Sequence, residues 1–566
     1  MADTIDIYAR QPRVAYFSME IALRNEVPTY AGGLGVLAGD TMRSAADLEL
    51  PMVAVTLVSR AGYFKQTFRA GGAQSEQPDP WAPESYAELA DAKVAVHLEG
   101  HRVWIQAWLY ELKGHQNGVI PVLLLDTDVA ENAPEDRQLT HYLYGGDEAY
   151  RLKQEAVLGI GGVRLLYALG FKIRQYHLNE GHAALLALEL TQRAAHAADD
   201  IGIDGALFDL AQVRAQCNFT THTPVQAGHD QFSYDLVARI LGDGPKLEEL
   251  KRFGGHERLN MTRLALNLSD YVNGVAKKHA EVSRTMFPGY RVHAVTNGVH
   301  PYTWTAKSFS RLYNEHLPGW CHEPELLVRA DQISDESIWR AHAEAKQRLI
   351  DLIRERTGVA FDKERLTIGF ARRMTAYKRP DLLFSDLSTL RALAAQHPLQ
   401  IVLAGKAHPK DSDGKQLIVR LHAHAAELAA QIPMAFIPGY DMAVAQALVA
   451  GADLWLNTPR PPLEASGTSG MKASFNGVPS LSVLDGWWIE GCVPGVTGWA
   501  VDTGGDETDA AAAASLYARL REDVLPLYYR DRARWIAVMK GAISKNASRF
   551  NSHRMLRRYV SEAYFN

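Results

Sequence analysis

The feature that most constrains the fold is a series of short apolar runs that stop abruptly at glycine or at charge. Ile401-Val402-Leu403-Ala404 and Leu481-Ser482-Val483-Leu484 are the clearest. Strands buried on both faces read as continuous apolar runs, and such strands belong to parallel sheets covered by helices. The spacing predicts strands over 365–370, 400–404, 434–438, 453–457 and 479–484, with helices or loops between them. An earlier set is expected at 13–17, 52–58, 119–125, 173–177, 217–221 and 292–295, with a hairpin over 93–99 and 102–110 turned at Gly100-His101. Helices are expected over 148–169, over most of 324–357 with an outer face solvated by alternating charge, and from 507 to the end. A chain of 566 residues is too long for one ordinary core, so two large domains or more are expected. In open α/β sheets, sites form just past the carboxyl ends of the strands.

Several of those loops carry chemistry. The first strand leads through Ala31-Gly32-Gly33-Leu34-Gly35 into a helix, a βαβ unit with an anion site at the helix start. Gly-x-Gly-x-x-Gly spacing is absent, so a dinucleotide is not implied. Asn179-Glu180-Gly181-His182 and His222-Thr223-Pro224 each follow a strand, as does Asn297-Gly298, which alone reads as a turn. Arg372-Arg373-Met374-Thr375-Ala376-Tyr377-Lys378-Arg379 concentrates cations at a strand end, suited to oxyanions or to a solvated basic loop. The small residues Ala465-Ser466-Gly467-Thr468-Ser469-Gly470 run into Met471-Lys472-Ala473. Such a loop can aim backbone N–H groups at one anion, and Lys472 in the next helical turn can pair with a phosphate or carry a cofactor covalently. The spacing is not that of a P-loop. Six small residues alone fit a helix start with an exposed lysine as well.

The longer string Glu464-Ala-Ser-Gly-Thr-Ser-Gly-Met-Lys472 with Asn476-Gly477 resembles the pyridoxal-phosphate site of the α-glucan phosphorylases (glycogen, starch and maltodextrin), and likeness continues from about 16 to 486. The resemblance implies that Lys472 carries pyridoxal 5'-phosphate and that Gly467, Thr468, Ser469, Arg372 and Tyr440 surround the cofactor. It implies that Arg373 and Lys378 bind the attacking phosphate, and that Gly32, Gly33 and Leu34 close over it. It gives His222, Asn297, Glu464 and Ser466 to the glucose, with Lys406 of Gly405-Lys406-Ala407 lining the cleft. His182 is divided between a structural and a substrate role. Arg372 stands where the family has lysine, which keeps the charge and changes the geometry.

The implied architecture is α/β, two Rossmann-like domains facing a cleft (the B-type glycosyltransferase fold, GT-B) with C-terminal helices. Its bounds are 1–296, 297–540, and a last helix, 541–566, crossing back to the first domain. The implied reaction is phosphorolysis of an α-1,4-glucan from its non-reducing end to glucose 1-phosphate, with retention. The implied partners are inorganic phosphate, glucose 1-phosphate and α-glucan chains, and the resemblance implies a homodimer. A nucleotide-sugar glucan synthase on the same fold is the alternative within enzymes, and a non-catalytic glucan-binding homologue the alternative outside them. The chain is shorter than animal and plant members, so control by phosphorylation or nucleotides is not expected.

Composition narrows the partners. A net charge of −5 gives no electrostatic reason to bind nucleic acid or an anionic membrane. No apolar run reaches the roughly 20 residues of a membrane span. Three dispersed cysteines, Cys217, Cys321 and Cys492, form no disulfide framework or zinc motif, and no metal is expected. An acidic N-terminus is unlike a signal peptide, so the expected compartment is the cytoplasm.

Overall fold

The computed structural model describes residues 8–9, 11–195, 208–242, 245–506 and 508–565. In chain order the strands begin with β1 (Val14–Ser18) and β2 (Met52–Leu57). A short antiparallel pair follows, β3 (Lys65–Phe68) and β4 (Gln74–Gln77). Then come β5 (Glu88–Leu98), β6 (His101–Lys113), β7 (Val119–Asp126), β8 (Gln175–Asn179) and β9 (Cys217–Thr220). A second small pair, β10 (Gln231–Ser233) and β11 (Arg258–Asn260), precedes β12 (Tyr271–Gly274) and β13 (His293–Ala294).

Nine of these strands form one sheet in the order β13-β12-β9-β8-β1-β2-β7-β6-β5. It is parallel from β13 to β7, and β6 and β5 add on antiparallel. Sequence pattern explains the difference. Every residue of β2, MVAVTL, is buried, as parallel strands covered by helices on both faces require. Near the edge, β6 alternates buried Val103, Ile105, Ala107 and Leu109 with partly exposed neighbours, the signature of a sheet with one face in water.

The second sheet is six-stranded and wholly parallel, ordered β16-β15-β14-β17-β18-β19. Its strands are β14 (Leu366–Ala371), β15 (Leu399–Ala404), β16 (Met434–Ile437), β17 (Leu454–Asn457), β18 (Ser480–Val483) and β19 (Gly498–Val501). The expected strands fall within one or two residues of these bounds except at the hairpin, where β5 begins five residues before the expected 93 and β6 runs three past the expected 110. Strands β12 and β19 are not among the expected ones. The strand expected over 173–177 starts two residues later, which places Asn179 inside β8. Glu507, the expected start of the last helical region, lies outside the described residues, and the helix there is Asp509–Arg519.

Helix Asp335–Thr357 is not solvated all round. Its Lys346 is buried, with Nζ 2.6 Å from Asp453, and His342 reaches the same carboxylate at 2.8 Å. Asp453 also accepts the Thr367 N–H at the start of β14, at 2.7 Å. A cation on a charged helix has thus become the partner of a strand-end carboxylate in the core.

Each sheet is wound in two directions from an inner strand. The first winds from β1 to β2 and β7 on one side and, on the other, from β8 through β9 to β12 and β13. The second winds from β14 to β15 and β16, and from β17 to β18 and β19. Ligands bind where the winding reverses, here between β1 and β8 and between β14 and β17. These two reversal points face one another.

The halves are joined at Asn297–Pro301 and again near Asn551, where Val299 and Asn551 form a parallel bridge. A Cβ on Gly298 would lie 2.1 Å from the Asn551 carbonyl, so only glycine lets the crossings touch. Helix Ser552–Tyr559 returns to the first sheet. Met555, Leu556 and Tyr559 share a core with Val14, Tyr16, Ala38 and Met42. Among the described residues no helix is long and apolar enough to cross a membrane.

Candidate active site

A cavity of 1210 Å³ lies between the two reversal points. Lining it are Gly32, Gly33, Leu34, His182, His222 and Asn297 from the first half, and Arg372, Arg373, Lys378, Lys406, Tyr440, Glu464, Ser466, Gly467, Thr468, Ser469 and Lys472 from the second. The fold thus gathers on one surface every residue that the sequence singled out for a site.

The lysine sits where its amine can react. Helix Ser469–Ser474 follows the small-residue loop, with Lys472 as its fourth residue. The side chain is buried, and Nζ lies 3.9 Å from the centre of the Trp304 ring. Burial pushes its pKa down to about 8, against the pull of Asp40. About a tenth of such amines are neutral at pH 7, far more than for a lysine in water. Two glycines shape the loop in front of it. Gly467 has φ +80°, which favours glycine, and a Cβ on Gly470 would meet Trp487 at 2.7 Å.

The cations behind β14 form a bridged pair and a separate arginine. One oxygen of Glu464 lies 2.6 Å from Arg372 Nη2 and 2.5 Å from Lys378 Nζ. All three side chains are buried, and burial together with the nearby Arg372 pushes Lys378 down to about 7. Burial opposes the charge on Glu464 as well, but Arg372 and Lys378 hold its carboxyl below the ordinary range. Asp485 fixes the chain beneath them by accepting the Glu464 N–H at 2.8 Å. Arg373 is exposed to the cavity itself, and its Nη2 would lie 3.1 Å from a Cβ placed on Gly32. Lys406 reaches across the cleft, donating to the Phe64 carbonyl at 2.9 Å.

The glycine loop splits into two uses. Ala31 and Gly32 donate their N–H groups to Glu20 Oε2, at 2.6 and 3.1 Å. Gly35 is a packing glycine, since a Cβ there would lie 2.6 Å from Glu20 Oε2. Gly33 is different. It opens helix Gly33–Asp47, and a Cβ on it would meet nothing within 4 Å, so its backbone faces open cavity. First-turn amides have no partner inside a helix, which leaves those of Gly33 and Leu34 for a ligand.

On the first domain, Asn179 Oδ1 lies 2.7 Å from His222 Nε2. Asn179 donates through Nδ2 to Ser18, so its oxygen accepts and the His222 proton is on Nε2. Burial pushes His222 well below the ordinary histidine range, and brings His182 to about 4. Both rings are neutral at pH 7. Glu180 sits at φ +78°, ψ +167°, a conformation that costs a non-glycine residue of order 1–3 kcal/mol. It is held there by three donors, the N–H groups of His222 and Gly181 and the Thr223 hydroxyl.

Several buried polar atoms on the cavity wall have no partner among the described residues: Asn297 Oδ1, Ser466 Oγ, Arg372 Nη1 and His182 Nδ1. Buried polar groups are normally paired, so such a set around one cavity marks where a polar ligand sits. Asn297 Oδ1 and Ser466 Oγ suit sugar hydroxyls, and Arg372 Nη1 suits an anion. Ser469 is less free, because its hydroxyl accepts from the Trp455 indole at 3.0 Å.

The sequence did not single out Glu20, Tyr144, Arg151 or Asp485. Each reaches the cavity or its supports only through tertiary folding, and none belongs to a motif. Glu20 alone lay near a visible signal, being two residues past β1 at a reversal point.

Two doubly wound domains with a polar, cation-lined cavity at their facing reversal points define a B-type glycosyltransferase fold. Residues 225–492 match the carbohydrate phosphorylase family. The chain is 39% identical to a maltodextrin phosphorylase of Thermococcus litoralis, over 97% of this chain and 70% of that protein. It is 36% identical to a glycogen phosphorylase of Aquifex aeolicus, over 97% and 86%. It is 30% identical to an uncharacterised protein of Methanocaldococcus jannaschii, over 97% and 99%. The chain belongs to the carbohydrate phosphorylase family.

Proposed function

We propose that the protein is an α-1,4-glucan phosphorylase that uses inorganic phosphate to release glucose 1-phosphate, with retention, from the non-reducing end of glycogen or maltodextrin. The observation that carries this reading is the division of cations in one cavity. Arg372 and Lys378, bridged by Glu464, form one anion site in the cavity that also holds the amine of Lys472. Lys378, expected with Arg373 at the attacking phosphate, is thus grouped here with Arg372, and Arg373 with the free amides of Gly33 and Leu34 forms a second site. Two adjacent anion sites are what a phosphate nucleophile and a phosphate-bearing cofactor require. The names of the Thermococcus and Aquifex relatives support the same substrate class.

The residues fit pyridoxal 5'-phosphate. Lys472 would hold its ring end, with Tyr440 alongside, and Gly467, Thr468, Ser469 and the unpartnered Nη1 of Arg372 would hold its phosphate. When bound there, a phosphate monoester supplies a group that ionises near pH 6 and can donate or accept a proton. The chain's own residues do the rest. Asn297, Ser466 and neutral His222 bind the terminal glucose, with His222 donating through Nε2 to Asn179 and so presenting a fixed ring. Arg373 and the Gly33 and Leu34 amides orient the attacking phosphate, and fixed donors of this kind act as electrostatic preorganisation. The carboxylates that the fold brings here are already engaged. Glu180 accepts from three donors and Glu464 bridges two cations, which leaves neither placed as the free acid and base of a glycosidase.

The reading places the enzyme in the cytoplasm as a homodimer, with domain bounds at 1–296, 297–540 and 541–566, on family resemblance. The test is release of glucose 1-phosphate from maltodextrin with and without inorganic phosphate. Release that depends on phosphate, and chain growth from glucose 1-phosphate in reverse, is the expected result. Cleavage without phosphate, or synthesis that needs a nucleotide sugar, overturns the reading.

A further inference from the structure

Glu20 is a buried carboxylate on the wall of an anion site, and no role in the proposed reaction falls to it. One of its oxygens takes the N–H groups of Ala31 and Gly32, at 2.6 and 3.1 Å, and the other accepts from the Tyr144 hydroxyl at 2.8 Å. Tyr144 is in turn covered by the Arg151 guanidinium, 4.6 Å from its ring centre, and Arg151 is tied to Asp230 at 2.8 Å. The carboxylate is therefore fixed in place from three sides. On the cavity side Gly32 lies against Arg373, and the negative charge of Glu20 is among the charges that favour the Arg373 cation.

We propose that Glu20 is the positioning residue of the phosphate site, an internal counter-anion that occupies the outer amides of the glycine loop and sets how tightly inorganic phosphate binds. The inference rests on the function proposed above and deepens it. Three physical consequences follow from the geometry. The loop offers phosphate the amides of Gly33 and Leu34, because those of Ala31 and Gly32 are taken. Arg373 keeps a compensating charge nearby when phosphate is absent, so it stays extended into the cavity without collapsing onto another carboxylate. An entering phosphate meets Arg373 and Glu20 together, so attraction by the first is partly cancelled by repulsion from the second.

The discriminating variant is Glu20→Gln. Its amide oxygen still accepts from the Ala31 and Gly32 N–H groups, and its NH2 donates to the Tyr144 oxygen, so the hydrogen bonds remain while the charge goes. Removing one like charge about 8 Å from a phosphate monoanion, at an effective dielectric near 20, tightens its binding by about 30-fold. The enzyme carrying its cofactor is assayed for maltodextrin phosphorolysis over a range of inorganic phosphate, and phosphate binding is measured directly by calorimetry without glucan. The expected result is a fall of about 30-fold in the phosphate KM and Kd, with kcat changed less than KM. Tyr144→Phe is the companion, loosening the same network but keeping the charge, and its phosphate KM should not fall. A phosphate affinity in Glu20→Gln that is unchanged or weaker overturns the proposal, as does an equal tightening in Tyr144→Phe. Wild-type protein that binds phosphate but releases no glucose 1-phosphate refutes the proposed function instead, and leaves the calorimetric comparison to decide the role of Glu20.

Discussion

Replacing Glu464 by Gln tests the charge balance of the site independently of turnover. In the structure a single oxygen of Glu464 lies 2.6 Å from Arg372 and 2.5 Å from Lys378, and the three side chains are at most 10% exposed. The amide keeps the shape but takes the bridging charge away from buried Arg372 and Lys378. Removing one member of a buried ion pair costs about 3–5 kcal/mol. One side of this cluster borders the water of the cavity, which lowers the expected cost to about 2–3 kcal/mol. For domains of this size each kcal/mol moves Tm by about 2–4 °C, so a drop of about 5–10 °C is expected. The assay is thermal melting of cofactor-free protein in phosphate-free buffer, then with increasing inorganic phosphate. A ligand at a hundred times its Kd stabilises by about 2.7 kcal/mol, so phosphate binding in place of the lost carboxylate should close most of the gap. Equal melting of variant and wild type without phosphate would refute the reasoning. So would a gap that phosphate leaves as wide as before, because the cations would then have another counter-ion.

Other expectations follow from the same geometry. Lys472→Ala should purify without the near-ultraviolet absorbance of bound pyridoxal phosphate, and a variant that retains it covalently would place the attachment elsewhere. Arg373→Ala should lose about 10²–10³ in rate, as for removal of one preorganised donor, measured as glucose 1-phosphate release at saturating phosphate. In cofactor-free protein, where Lys378 titrates near pH 7, phosphate binding should weaken as pH rises through that value, because the ammonium that attracts the anion is lost above it. Asp453→Ala should destabilise by about 3–5 kcal/mol in thermal or urea melts, since it strands buried Lys346. Asp453 has a folded pKa below its unfolded value, so its contribution is present above about pH 4 and should fade as pH drops through the folded pKa.

The two sheets were legible because parallel strands leave a local trace. Within MVAVTL and LQIVLA, the stretches MVAV and IVLA are continuous apolar runs, and the strand ends can be read to within a residue or two. The site residues were legible for a different reason, since glycine loops, clustered cations and strand-end histidines keep their chemistry whatever surrounds them. What stayed hidden depends on contacts between distant positions. Lys346 reads as one charge among many on a solvated helix, and nothing local says that Asp453, more than 100 residues on, will need it in the core. The same holds for the β3–β4 pair, whose Gln66 and Gln74 donate to the Gly405 and Ala407 carbonyls at 2.8 and 2.9 Å and so tie the first half to the second. Glutamines on a short, polar, exposed-looking segment carry no periodic signal, and their role is created by the facing strand ends.

The carboxylates give the sharper case, because sequence placed Glu464 in the site and still could not show its partner. Cations that must bind phosphate are costly to leave unpaired in a buried wall, and water alone compensates them poorly there. The fold answers at both anion sites with a carboxylate of its own. Glu464 bridges Arg372 and Lys378 directly. Glu20 lies beyond Gly32 from Arg373 and takes up two loop amides. The difference in reach has a consequence. A phosphate arriving at Arg372 and Lys378 must displace or repel a carboxylate in direct contact, which favours a ligand that is anchored by other means, as a cofactor held at Lys472 would be. A phosphate arriving at Arg373 meets an open guanidinium and only a distant opposing charge, which suits a substrate that must exchange at every turnover. The cavity therefore distinguishes its two anions by how closely each set of cations is already neutralised, although the cations themselves are of the same kind.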